Sequence, residues 1–186
     1  MIQAKYTPVA VGLHWVMAAL ILATWSIAIV VGDMPLSPAR IAGFSWHKWI
    51  GTTVFFLVIV RLIWRATHPA PKLDIAVPAW QKKAMDLTHL ALYILMIAIP
   101  VIGWVMSSAK GYTVNYFGLF DLPDLVDQNK NLGHQLKEVH EWLANVLMVL
   151  VGLHILAAVK HHFIDKDGLL YRMSFWQHQD GKGAKK

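Results

Sequence analysis

Cysteine is absent from the 186 residues, which rules out disulfides, iron–sulfur clusters and thioether-bound c-type haem. Charge is scarce as well. Asp, Glu, Lys and Arg make up 15% of the chain against 56% hydrophobic residues, a balance foreign to water-soluble domains. There is no internal repeat, and the only low-complexity tract is the Gly/Lys ending from Gly181. The net charge is +6, but the Lys and Arg are not gathered on an amphipathic element with interleaved aromatics, so nucleic acid is not an expected partner. They collect beside hydrophobic runs, which is how membrane topology is written into a sequence.

Hydrophobic runs and histidines are what the chain has in abundance. Crossing about 30 Å of hydrocarbon takes about 20 helical residues, and four segments are long enough: roughly 10–31, 47–66, 84–106 and 138–161. The nine Trp fit a lipid interface or the face of a flat cofactor. The first run is too long for a signal-peptide core and reads as an uncleaved anchor. The expected fold is an all-α integral membrane protein, one domain over residues 1–186, built as a four-transmembrane-helix bundle. Lipid is its first partner. Pro100 should bend the third helix. The connection from Ser107 to Gln135 should fold over the bundle end, because nearly thirty residues carrying Phe117, Phe120 and Leu122 would not stay loose. Residues 174–186 are expected to form a flexible tail. Twelve Lys and Arg, among them Lys5, Arg61, Lys72, Lys82 and Arg172, fall on the side of the termini, against five (Arg40, Lys48, Lys110, Lys130, Lys137) on the other. The positive-inside rule therefore puts both termini in the cytoplasm.

Four of the ten His lie within or at the ends of the apolar runs, where a ring without a partner is costly to bury. His14 falls near the cytoplasmic end of the first helix and His47 opens the second at the periplasmic end. His140 and His154 share the fourth helix. Their separation of 14 residues is about 21 Å of rise and about 40° short of full turns, so both rings face one way at two depths. Pairing by depth joins His14 with His154 and His47 with His140. Each pair can clamp one iron porphyrin in the bundle core. Two imidazoles fill both axial positions, so the expected chemistry is one-electron transfer rather than oxygenation.

Other residues carry two readings each. Arg61, 14 residues after His47, is placed either to meet a haem propionate or to snorkel to headgroups, as Arg65 does. His89, on the third helix, lines a quinone pocket or bonds a neighbouring helix. His161, seven residues after His154, suits a proton donor to quinone or is simply an interfacial histidine. Lys82 is a quinone candidate by position alone. His68, His134 and His178 are expected in solvent, and His162 has no assignment. No residue is singled out as catalytic.

Several stretches resemble bacterial cytochrome b561 proteins: LHW at Leu13 to Trp15, HKWIG at His47 to Gly51, RLIWR at Arg61 to Arg65, HLALY at His89 to Tyr93, IPVIGWVM at Ile99 to Met106, and the run VHEWLANVLMVLVGLHILAAVKHHFIDKDGLLYRM from Val139 to Met173. The resemblance implies two non-covalent b-type haems on the same two histidine pairs, a bacterial inner-membrane location, and exchange of electrons with ubiquinone. Short relatives of this kind include superoxide oxidases, so a superoxide:ubiquinone oxidoreductase-like activity is implied, with a small-molecule or protein electron donor. Two alternatives stand beside it. One is an electron-relay cytochrome b subunit of a membrane dehydrogenase or hydrogenase, and the other a haem-free transporter using the histidines as a relay. Monomer and homodimer are both compatible with the sequence.

Overall fold

The computed structural model describes residues 5–71 and 78–175; Lys72, His178 and the tail beyond 175 lie outside the described residues. Four helices dominate: α1 (Pro8–Gly32), α2 (Pro38–Thr67), α3 (Ala79–Ala109) and α4 (Lys130–Lys160). All four are long and apolar enough to cross a membrane. Each begins earlier than hydropathy alone suggests, and for α1, α2 and α4 the start is set by a side-chain cap. Thr7 and Ser37 accept the backbone N–H of Ala10 and Arg40, each at 3.3 Å, ahead of Pro8 and Pro38 in the first turn. Proline is favoured there because its missing N–H would have had no helical partner anyway. Asn129 does the same for α4 by accepting Leu132 N–H at 3.0 Å. The connection left between the first two expected spans (10–31 and 47–66) therefore shrinks to a tight bend, and α2 starts at Pro38.

Packing is inside-out relative to a soluble bundle. At mid-bundle a buried cluster joins Ile21 of α1, Val54 of α2, Leu95 and Ile99 of α3, and Leu147 of α4. Large apolar side chains such as Leu22, Ile63, Leu90, Val149 and Leu156 point outward, as lipid-facing residues do. Ile21 follows His14 by seven residues, Val54 follows His47 by seven, and Leu147 lies seven from both His140 and His154. Two helical turns separate each, so this apolar layer sits midway between the two depths at which histidines occur.

Helix α1 packs along α2 and α3 along α4, while α1 and α4, and likewise α2 and α4, stand apart without close backbone packing. The connection between α3 and α4 is not helical. Strands β1 (Val114–Tyr116) and β2 (Phe120–Leu122) form an antiparallel hairpin with Asn115 opposite Asp121. Its turn places Phe117 and Gly118 at φ 50° and 75°, the left-handed conformation that such hairpin turns demand and that glycine adopts without strain. Asn115 closes it by accepting Gly118 N–H at 2.6 Å. The hairpin lies over the bundle end: Trp49 Nε1 donates to Asn115 O at 2.8 Å, Tyr116 OH meets Thr53 Oγ1 at 3.0 Å, and Phe117 stacks on Trp49 at 4.7 Å.

At the other end, α4 gives way to a π-helical turn (His161–Asp165) and a short 3-10 turn (Leu170–Met173) that passes beneath the bundle. The buried Arg172 donates to Pro71 O and lies over the ring of Tyr6, while Trp15 Nε1 donates to Met173 O at 2.8 Å. This strap ties the start of α1 to the end of α2.

The α1–α2 crossing depends on Gly43, where a Cβ would fall inside the contact radius of Val31 Cγ1. Overpacking of this kind costs about 1–3 kcal/mol. Gly43→Ala should accordingly lower the thermal midpoint of the purified protein in detergent, and Val31→Ala added to it should restore part of the loss.

Candidate functional site

The histidines expected in pairs are brought together in pairs. At the hairpin end, His47 of α2 faces His140 of α4 with ring centroids 6.1 Å apart and planes at 75°. At the terminal end, His14 of α1 faces His154 of α4 at 6.2 Å and 72°. All four rings are half-buried. Two metal–nitrogen bonds of about 2 Å each, plus the half-width of each ring, add up to this spacing. The spacing also lies within the range of an edge-to-face ring pair, and close backbone packing of α4 against α1 and α2 is sparse.

The hairpin-end rings are oriented from behind. His47 Nδ1 lies 3.0 Å from Thr24 O and 3.0 Å from Thr24 Oγ1, whose hydroxyl donates in turn to His47 O at 3.2 Å. His140 Nδ1 lies 3.0 Å from Ile99 O. A carbonyl only accepts, so both rings carry their proton on Nδ1 and leave the Nε2 lone pair for another partner. Gly103 makes room for this: a Cβ there would stand 3.0 Å from His140 Cε1 and 3.2 Å from Nδ1.

At the terminal end the neighbours are different. His89 of α3 meets His154 edge-on at 5.4 Å, and Trp15 meets His14 at 5.4 Å. Arg61 is the charged side chain that acts on both His14 and His154. Its Nε donates to Tyr93 OH at 3.0 Å, and Arg65 lies over the Tyr93 ring. Arg61, Arg65, His89, Tyr93, Tyr6 and Met173 are among the residues lining a pocket that the strap partly closes. Two guanidiniums and two phenols around one opening suit an acidic or carbonyl-bearing group.

The remaining candidates are scattered. Lys82 is solvent-facing near the start of α3. His161 closes α4, and the π-helical turn after it brings two carboxylates to its ring: its Nδ1 lies 2.5 Å from Asp167 Oδ2 and 3.1 Å from Asp165 Oδ2, and Lys160 Nζ also holds Asp165 at 2.6 Å. His68 stacks on Trp64 at 3.9 Å, His134 pairs with Glu138 at 3.4 Å, and His162 lies edge-on to Phe163 and Tyr171. Sequence reasoning missed Thr24, Tyr93 and Gly103. Only Tyr93 left a signal, four residues after His89 and thus on its face.

The comparisons with known proteins agree with this architecture. The family model described as prokaryotic cytochrome b561 matches residues 5–176. Cytochrome b561 homolog 2 of Escherichia coli (strain K12) is 31% identical over 174 residues, covering 91% of this chain and 90% of that protein. The probable superoxide oxidase CybB of Yersinia pestis is 32% identical over 176 residues, covering 91% and 95%. Cytochrome b561 homolog 1 of Escherichia coli (strain K12) is 30% identical over 170 residues, covering 91% and 96%. With four spanning helices, facing histidines in its interior and a family match over nearly its whole length, the chain belongs to the prokaryotic cytochrome b561 family of multi-pass inner-membrane, haem-binding electron-transfer proteins.

Proposed function

We propose that this chain holds two b-type haems, one between His14 and His154 and one between His47 and His140, and passes electrons singly from a donor at the hairpin end to ubiquinone at the terminal end. The observation that carries this reading is the pair of facing imidazoles near each end, at 6.2 and 6.1 Å between centroids. The excess of Lys and Arg beside the termini supports a cytoplasmic terminal end and a periplasmic hairpin end. When bound, the haems supply reversible one-electron storage with both axial positions filled. Superoxide is the proposed donor, from the likeness to the Yersinia pestis protein named for that activity. The reaction then balances as two superoxide ions giving two O₂, with ubiquinone taking both electrons and two protons to become ubiquinol.

Each end of the chain has groups for its part of this reaction. Near His47 and His140, Lys48 lies over Tyr112, and Lys110 packs along Gly133 close to Lys137. Burial and the neighbouring Lys137 ammonium hold the Lys110 amine below the usual lysine range. The hairpin end as a whole is near electrical balance, so attraction of an anion is confined to this group of lysines. At the terminal end, Arg61 is placed for a haem propionate, and the opening between Tyr93 and His89 for the quinone head. His161, held against Asp167, is positioned to pass protons from the cytoplasm. Lys82 retains only its proximity to that surface.

Purified protein should contain two b haems per chain by pyridine haemochrome. His14→Ala and His154→Ala should each remove one haem, and His47→Ala and His140→Ala the other; a colourless protein would overturn the assignment. Lys48→Glu with Lys110→Glu should slow superoxide-driven ubiquinol formation about 10-fold at low ionic strength, with the difference shrinking as salt is added. A rate unchanged in that double variant would move the site of donor encounter elsewhere.

A further inference from the structure

The two histidine pairs match in ring spacing and differ in what stands behind each ring. Behind His47 and His140 are main-chain carbonyls, Thr24 O and Ile99 O, each 3.0 Å from Nδ1. Among the described residues His14 and His154 have no hydrogen bond to the protein; their neighbours are the rings of Trp15 and His89 and the charge of Arg61. An Nδ1–H given to a carbonyl pushes electron density onto Nε2 and makes the imidazole a stronger donor, which favours an oxidised metal. Fixed charges stand at both ends: Arg61 beside His14 and His154, and Lys48 and Lys110, with Glu141 against Lys110, beside His47 and His140. The carbonyl bonds are what the two pairs do not share.

We infer that these partners behind the ligands set the direction of electron flow: His47 and His140 hold their haem at the lower reduction potential and His14 and His154 hold theirs at the higher. An electron arriving at the hairpin end then runs downhill toward the quinone. The inference rests on the two-haem reading above and adds to it an order of potentials and two positioning residues. Thr24 supplies both the carbonyl and a hydroxyl to His47. Gly103 allows His140 to reach Ile99 O, since any side chain there would displace the ring.

The test is an anaerobic spectroelectrochemical titration of the haem-loaded protein. Wild type should show two separate one-electron steps. The lower should vanish in His47→Ala and His140→Ala, and the upper in His14→Ala and His154→Ala. Gly103→Ala should raise the lower step toward the upper and leave the upper in place, with a smaller rise for Thr24→Val. Two coincident steps, the reverse assignment, or a lower step unmoved in Gly103→Ala with its haem bound would each overturn the inference. If Gly103→Ala sheds its haem, the His→Ala assignments decide; if those variants do not accumulate, the Gly103→Ala and Thr24→Val shifts decide. Fewer than two haems in wild type, or haems indifferent to all four His→Ala changes, would overturn the two-haem reading instead, so the two failures are distinguishable.

Discussion

An imidazole in hydrocarbon needs a partner for each ring nitrogen, and α4 carries two such rings on one face, 14 residues apart. The rest of the bundle follows from answering them. His14 and His47 enter from α1 and α2 at the two matching depths, facing His154 and His140 at 6.2 and 6.1 Å between ring centroids. Helix α3 supports from behind, with Ile99 O and Gly103 for His140 and with His89 for His154. A helix can lend a carbonyl this way because its oxygen has a second lone pair beyond the one used in the helical ladder.

The ends of the bundle are built to hold that spacing without a large core. Backbone hydrogen bonds are satisfied within each helix, so lipid exposure costs nothing there. Rigidity comes from closures at either end: the hairpin pinned through Trp49 and Thr53, and the strap pinned through Arg172 and Trp15. Tryptophan N–H groups bonding to loop carbonyls recur at both ends, and Trp104 holds Pro123 O in the same manner. Several of the nine Trp thus act as fasteners as well as interfacial anchors.

Hydropathy and histidine spacing made the four-helix membrane fold readable before any coordinates, because both are properties of side chains at regular intervals. The helix starts were less visible to hydropathy, although Ser37–Pro38 is a start signal in its own right and the polar turns after it masked it. The hairpin escaped because its strands are only three residues each and its turn is opened by Phe117 where glycine would be expected. What stands behind the histidines was least legible. Thr24 O and Ile99 O are main-chain atoms, and a carbonyl has no signature in the sequence. The approach of Asp165 and Asp167 to His161 was hidden for a related reason, since π-helical winding after His161 is not visible in residue spacing.

The mid-bundle layer of Ile21, Val54, Leu95, Ile99 and Leu147 has an electrical consequence. Five aliphatic side chains offer no foothold for water or a proton chain. Under the proposed function, an electron crossing there travels without a compensating ion. In the proposed orientation each electron moves inward against a membrane that is negative inside, at about 2.3 kcal/mol per 100 mV, and the protons that neutralise it are drawn from the cytoplasm. Turnover would then sharpen the membrane potential, and a well-energised membrane would slow the protein that helps to energise it.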